Sequence, residues 1–447
     1  MSEEAAKVVR AHEETWRAYW SRSGVELGDK DYQNWWYRQL YYLRCLSRPG
    51  SYPIALQGGY NRKAKWHGTW TMNYNAEQTF WPAFSSNHPE LAEPFIDLVN
   101  AFHPRARWYA KTVFGCEGAV TPHNLWPFEP DPADCKSINQ RQLAYMPWSY
   151  GIGTAGHIGS ILWLHYAYTG DKVYLKDRVY PVLKDYAVFY ASFASQCQGV
   201  DGKVAFGPSV DPEHTDFGIN NSPYDLAWAR HTLRAAIQAA TDLGVDAELV
   251  TRWTRTLDKL PAYPLAGAPG QEIIQVPGRD KGYNIVTPVV PLFPAEQASW
   301  FSPERETALY KRTIQWMQDR YNRNNSVVML NVARARLSMT DEAHADTRNW
   351  FKDKEQSNGL FYWQAHGFYM TEQTAVAGLI NEFLLQSVDH IIRVFPCWPK
   401  DKDASFTHLR AQGGFLVTAE QKAGNITKLE ITSTVGGKLR LLDPWTG

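Results

Sequence analysis

The amino-acid sequence predicts a mainly α fold: a barrel of paired helices followed by a small C-terminal β unit. Three observations support this. Stretches of helical apolar spacing recur from Glu4 to about Ser387, with long Gly- and Pro-rich loops between them. The helices follow one another in pairs with no strand pattern in between, which excludes a βαβ sheet. Beyond Ser387 the residues fall into short β-branched runs with alternation in places.

Glu4 to about Trp20 and Asp31 to about Leu46 carry helical spacing. AGHIGSILWLHYAYTGD, Ala155 to Asp171, is expected to be a helix ended by Gly170, which suits the left-handed cap position. In NSPYDLAWARHTLRAAIQAATDLG, Ser222 caps, Pro223 fits the first turn, Asp225 is placed to close a capping box, and Gly244 is the stop. SPERETALYKRTIQWM repeats the Ser-Pro start at Ser302. Thr371 to Ser387 is predicted to be an amphipathic helix, and HIIRVFPCWP, GGFLVTAEQ, NITKLEITSTV and KLRLLDPW read as strands. The expected division is a linker helix over 1–30, a barrel over 31–388 and a β unit over 389–447.

Composition narrows the function. The chain of 447 residues carries 46 Lys plus Arg against 46 Asp plus Glu, so a strongly basic nucleic-acid surface is excluded. No apolar run is long enough to span a membrane. Five cysteines without metal spacing imply neither a disulfide framework nor a metal site, and nothing points to a cofactor. The compartment stays open: extracellular or periplasmic if the chain is a trimmed fragment, cytoplasmic otherwise. Oligomeric state is open too. Aromatic residues make up 14% of the chain, more than a core alone requires, and stacking surfaces for a ligand would use the remainder.

That excess concentrates in WHGTWTMNYNAEQTFWP, Trp66 to Pro82. A packing patch explains buried tryptophans, but a sugar pocket also wants flat faces ringed by amides and carboxylates. Asn73 and Asn75 are poor bases, yet an amide orients a water that a carboxylate polarises. A second segment, GPSVDPEHTDFG, holds Asp211, Glu213, His214 and Asp216 in a Gly/Pro-bounded loop. It reads as a surface turn, or as a rigid loop presenting Glu213 as general acid, with Asp211 as the rival donor. In a third, HGFYMTEQTAV from His366, Glu372 stands at a helix start, where the helix dipole favours an ionised carboxylate. That suits a base partner, with two pKa values pushed apart for two roles. Pro122–Asn124 and His157 lie in or beside aromatic loops.

Taken in order, these segments resemble the catalytic domain of glycoside hydrolase family 95, the inverting α-L-fucosidases and α-L-galactosidases. NYN followed by AEQTFWP keeps the family's spacing, as do WHG, LSRPGSYPIALQGGYN and GCEGAVTPHN. WLHYAYTGD, GPSVDPEH, PLFPAEQ, EFLLQS and LRAQGGF follow in the expected order, so the likeness runs from about Trp16 to Phe415. The resemblance implies an (α/α)6 barrel and an inverting exo-glycosidase acting on a carbohydrate without metal. It implies Glu213 as acid and Asn73 and Asn75 as holders of the water. The family's base aspartate falls on Thr371, with Glu372 adjacent and long enough to serve. Trp66, Trp70 and Trp126 would stack on sugar, and His67, Thr71, His123, Asn124, His157 and His366 would line its hydroxyls.

Two departures bear on the sugar. The family's fucosidases carry His where this chain has Thr71, and a histidine-rich run where it has YNIVTPVVPLFP. Thr71 leaves room for a C6 hydroxyl, which keeps L-galactose beside L-fucose. Alternatives are a glycosidase of other specificity, a phosphorylase or lyase on the same barrel, and a sugar-binding relative that has lost its base. The family's N-terminal β-sandwich has no counterpart here; the first helix would be its linker.

Overall fold

The structure, a computed structural model, describes residues 3–56, 58, 70–125, 150–214, 218–363 and 370–445. Its long helices are α1 (Glu3–Trp20), α2 (Lys30–Leu46), α3 (Glu93–Phe114), α4 (Gly153–Thr169), α5 (Tyr180–Gln196) and α6 (Pro223–Leu243). They continue with α7 (Ala247–Lys259), α8 (Glu304–Met317), α9 (Arg323–Arg336), α10 (Thr340–Phe351) and α11 (Met370–Leu384). Among the described residues no helix is long and apolar enough to cross a membrane.

Burial sorts these helices into two layers. Every residue of α4 from Gly153 to Leu162, and of α9 from Ser326 to Arg336, is buried. Helices buried all round must lie inside. By contrast α7 buries only Trp253 and Thr256, and α10 only Ala343, Thr347 and Phe351, the single stripe of an outer helix. Along the chain, outer α2, α3, α5, α7, α8 and α10 alternate with inner elements. The inner set is the short helices Asn75–Gln78 and Trp81–Ser85, then α4, α6, the turn Thr287–Val289, α9 and α11. This is the (α/α)6 barrel that the resemblance implied.

Small residues and paired amides close the ring. A Cβ on Gly156 of α4 would lie 2.5 Å from Trp228 Cβ of α6, so only glycine permits that approach. The first outer helix meets the last inner one where Trp36 Nε1 donates to Asn381 Oδ1 at 2.8 Å. Asn381 Nδ2 in turn donates to the hydroxyls of Ser85 and Ser86, both at 2.8 Å.

Several local expectations are corrected. The helix from Thr371 ends at Leu384, and Leu385–Val388 is a strand paired with Ile391–Val394. That helix is buried nearly all round, so its pattern is that of an inner helix. Ser302 does not cap α8, whose N-cap position is Pro303; its hydroxyl accepts from the Ser299 N–H at 3.1 Å. Asp225 accepts from Ser209 Oγ where a capping box was expected, although Ser222 does cap α6 by accepting from the Tyr224 N–H.

The C-terminal antiparallel sheet runs in the order Gly24–Leu27, Ala404–Ala411, Phe415–Lys422, Asn425–Ser433. Its edge strand comes from the segment expected to be a linker, with Gly24 opposite Thr407 and Leu27 opposite Ala404. Lys438–Trp445, read as a strand, makes only an isolated bridge between Leu441 and Ile392.

Candidate active site

The N-terminal ends of the inner elements gather the candidate residues. Trp70 pairs with Leu125 and Thr71 with Asn124, and the Met72 N–H donates to the His123 carbonyl at 2.6 Å. This short ribbon sets Thr71, His123 and Asn124 beside the turn that carries Asn73 into the helix Asn75–Gln78. Trp70 is buried, its Nε1 donating to the Pro53 carbonyl at 3.1 Å, with Tyr52 stacked at 6.5 Å. Trp66, His67, Trp126 and His366 lie outside the described residues, as do the side chains of Thr371 and Glu372, which open α11.

Beneath the asparagines is a fixed layer. Tyr224 Oη donates to the Asn73 carbonyl at 2.5 Å, and His157 Nδ1 lies 3.2 Å from the same hydroxyl. His157 is wholly buried, stacked on Trp228 with centroids 4.4 Å apart. Burial pushes its pKa down to about 3, so it is neutral and braces Tyr224 from inside the barrel. The Asn73 side-chain amide is itself fully buried, and neither its oxygen nor its nitrogen meets a partner among the described residues.

Glu77 lies two residues beyond Asn75, fully buried, with neither carboxyl oxygen partnered among the described residues. Burial raises its pKa to about 8. Burial thus favours its protonated form at neutral pH, though it is the nearest carboxyl to the asparagines along the chain. Asp225, pushed up to about 8 by burial with Ser209 donating to it, is likewise neutral. Glu77 lies within Trp66–Pro82, but its raised pKa follows from burial, which no spacing reveals.

The loop through Asp211 and Glu213 separates its two carboxyls. Asp211 is fully buried, accepting from Ser222 Oγ at 2.6 Å and Arg279 Nη1 at 2.7 Å, with Thr287 Oγ1 at 3.3 Å. It ties the loop to α6 and to the turn at Thr287. The His214 N–H donates back to the Asp211 carbonyl at 3.1 Å, closing a turn over Pro212 and Glu213. Proline second and a left-handed residue third is the type II pattern, and Glu213 has φ 55°. A glutamate held there costs about 1 kcal/mol or more, strain of the kind that collects at functional sites. Glu213 is half-buried, its Oε1 3.9 Å from His123 Nε2. His123 Nδ1 is 2.8 Å from Asn124 Oδ1, which turns the Nε2 edge of the ring toward Glu213. The carboxyl opens on a cavity of ≈ 660 Å³ that also touches His214, Lys281, Tyr283, Arg320 and Asn322.

A barrel of six helix pairs with a carboxyl and an asparagine pair at the ends of its inner elements defines a class, the (α/α)6 carbohydrate-active enzymes. Within that class, the sequence profile of the glycosyl hydrolase family 95 catalytic domain matches residues 38–378. The chain belongs to this family. It is 24% identical over 421 residues to "Alpha-L-fucosidase 2" of Arabidopsis thaliana, covering 88% of this chain and 48% of the relative. It is 26% identical over 260 residues to "Kojibiose hydrolase" of Flavobacterium johnsoniae, covering 57% of this chain and 35% of the relative. The chain thus spans about half the length, or less, of these relatives. A putative kojibiose phosphorylase from the human microbiome shares the fold, with a TM-score of 0.67 at 12% identity over 99% of this chain and 68% of that one.

Proposed function

We propose that the chain is an inverting exo-glycosidase with Glu213 as general acid. The observation that carries this reading is the division within one loop: Asp211 is tied to Arg279, while Glu213 is held on a left-handed turn facing His123 and the cleft. Glu213 gives its proton to the glycosidic oxygen as the bond to the anomeric carbon breaks. Water held by Asn73 and Asn75 attacks that carbon from the opposite face and loses a proton to the base. Glu372, in the first turn of α11, takes the base role; the neutral Glu77 is unsuited to it. Trp66, Trp70 and Trp126 would stack on sugar, with His67, Thr71, His123, Asn124 and His366 around its hydroxyls, and His157 acting from below through Tyr224.

The leading substrate is a terminal α-L-fucosyl or α-L-galactosyl residue. A second reading, an α-glucoside such as kojibiose, is favoured by the name of the Flavobacterium relative and by Thr71 in place of the fucosidase histidine. The test is release of sugar from α-L-fucosides, α-L-galactosides and kojibiose, with the anomer of fresh product read by NMR. Inverted product from wild type, lost in Glu213→Gln, is expected. Retained configuration, or full activity in Glu213→Gln, would sink the mechanism.

A further inference from the structure

Glu213 borders two spaces. On one side its Oε1 faces His123 Nε2 at 3.9 Å, and His123 belongs to the ribbon that leads into Asn73. On the other it opens on the cavity of ≈ 660 Å³, which Thr71, Asn73, Asn75 and His123 do not touch. An inverting cleavage needs that division. The attacked sugar lies between water and acid, and the acid's proton goes to the oxygen that departs with the leaving group. With Glu213 as acid, the asparagine side takes the attacked sugar and the cavity beyond Glu213 takes the group that leaves. Its volume falls within the small-ligand range of about 300–1,000 Å³.

The far wall of this cavity, from residues 281–284 and 319–322, is built in one piece with the Glu213 loop. The Tyr283 N–H donates to the Arg320 carbonyl at 2.9 Å, and the Asn322 N–H to the Tyr283 carbonyl at 2.8 Å. Tyr283 Oη donates to the Arg279 carbonyl at 2.9 Å, and the Arg279 guanidinium lies over the Tyr283 ring at 5.5 Å. The same guanidinium holds Asp211 at 2.7 Å, two residues before Glu213. Wall and acid therefore keep a fixed spacing, as the orientation of a leaving group requires.

Asn322 is the fixed donor on that wall. It is the N-cap of α9, its Oδ1 accepting from the Asn324 N–H at 3.0 Å, while its Nδ2 donates to Asn284 Oδ1 at 3.1 Å. With both amide atoms held, the second Nδ2 proton has a set direction and no partner among the described residues. The neighbouring Arg320 is committed to the Trp316 carbonyl at 2.5 Å. A fixed N–H discriminates between a leaving group with a hydroxyl to accept it and one without.

We propose that the cavity beyond Glu213 receives the leaving group and that Asn322 selects a saccharide there by donating to one of its hydroxyls. This rests on the reading of Glu213 as acid. The test presents the sugar that wild type releases in two forms, as a disaccharide and as a phenyl glycoside, whose leaving ring has no other hydroxyl. Wild type, Asn322→Ser, Asn322→Asp and Glu213→Gln are compared. Serine and aspartate cap helices as well as asparagine does, so both variants keep α9, which melting curves check. The ratio of kcat/KM for the disaccharide to that for the phenyl glycoside should fall about tenfold in both Asn322 variants, the worth of one hydrogen bond. A ratio unchanged in either folded variant would overturn the proposal, because a merely structural lesion lowers both substrates together. Full release from the disaccharide by Glu213→Gln sinks the acid reading and this inference with it, as does silence of wild type on both forms.

Discussion

At the N-terminal ends of the inner elements, the side-chain polar atoms of Asn73, Glu77 and Gln78 are buried without partners among the described residues. At the opposite ends, Arg336 is buried too, but Glu382 grips it through Nε and Nη2, both at 2.7 Å, and Glu296 holds Nη2 at 3.0 Å. Both regions bury polar groups in the same kind of core. One leaves these groups without partners among the described residues; the other engages most of its hydrogen-bonding capacity internally. The same contrast recurs in miniature between Glu213, which faces the cleft, and Asp211, which is tied to Arg279.

The sharpest way to break the comparison is at Glu213. Glu213→Gln should lower kcat about a thousandfold, the ordinary worth of a general acid, while leaving the melting temperature nearly unchanged. A large loss of stability would place Glu213 with the structural groups instead. Next comes the other end: Arg336→Met leaves the part-buried carboxyls of Glu382 and Glu296 without their shared partner and should cost about 3 kcal/mol in urea denaturation. If the variant is as stable as wild type, the ion cluster does not hold the barrel together.

The Glu77 carboxyl sharpens the contrast through pH. Its pKa is about 8 folded, against an ordinary carboxyl value of 4.5 in the unfolded chain. Between these values the folded state holds a proton that the unfolded state has lost. Stability from this group is therefore complete below about pH 4.5, declines by about 1.4 kcal/mol per pH unit above it, and levels off past about 8. Glu77→Gln removes that decline, so its stability relative to wild type should climb from pH 5 to pH 8. Parallel curves would show that Glu77 is ionised when folded. The smallest effect belongs to the hairpin: His390→Gly relieves φ 59° and should raise stability by about 1 kcal/mol, read as a higher Tm. A lower Tm would mean that the imidazole contributes more than the strain costs.

How much of this was legible in the sequence depended on range. Ser222 and Gly244 bound α6 as expected, because capping is settled within four residues by backbone groups and one side chain. The Asn73–Asn75 pair and Glu213 stood out because amides crowded among tryptophans, and a glutamate after proline, are unusual locally. Asp225 was misread because its position fits a capping box, whereas its actual donor, Ser209, is sixteen residues away in another loop. The strand Gly24–Leu27 was hidden inside an apparent linker, since its partner lies at Ala404–Thr407.

By itself the sequence determined the helical pairs, the change to β structure near Ser387 and the run of segments shared with the family. Each rests on periodicity, capping or side-chain type, all properties of neighbours along the chain. Only the tertiary structure decided which carboxyl of the Asp211–Glu213 loop faces the cleft, that His157 is core, and that burial raises the pKa of Glu77. Those outcomes depend on desolvation and on partners brought from distant segments, so they come into being only when the barrel closes.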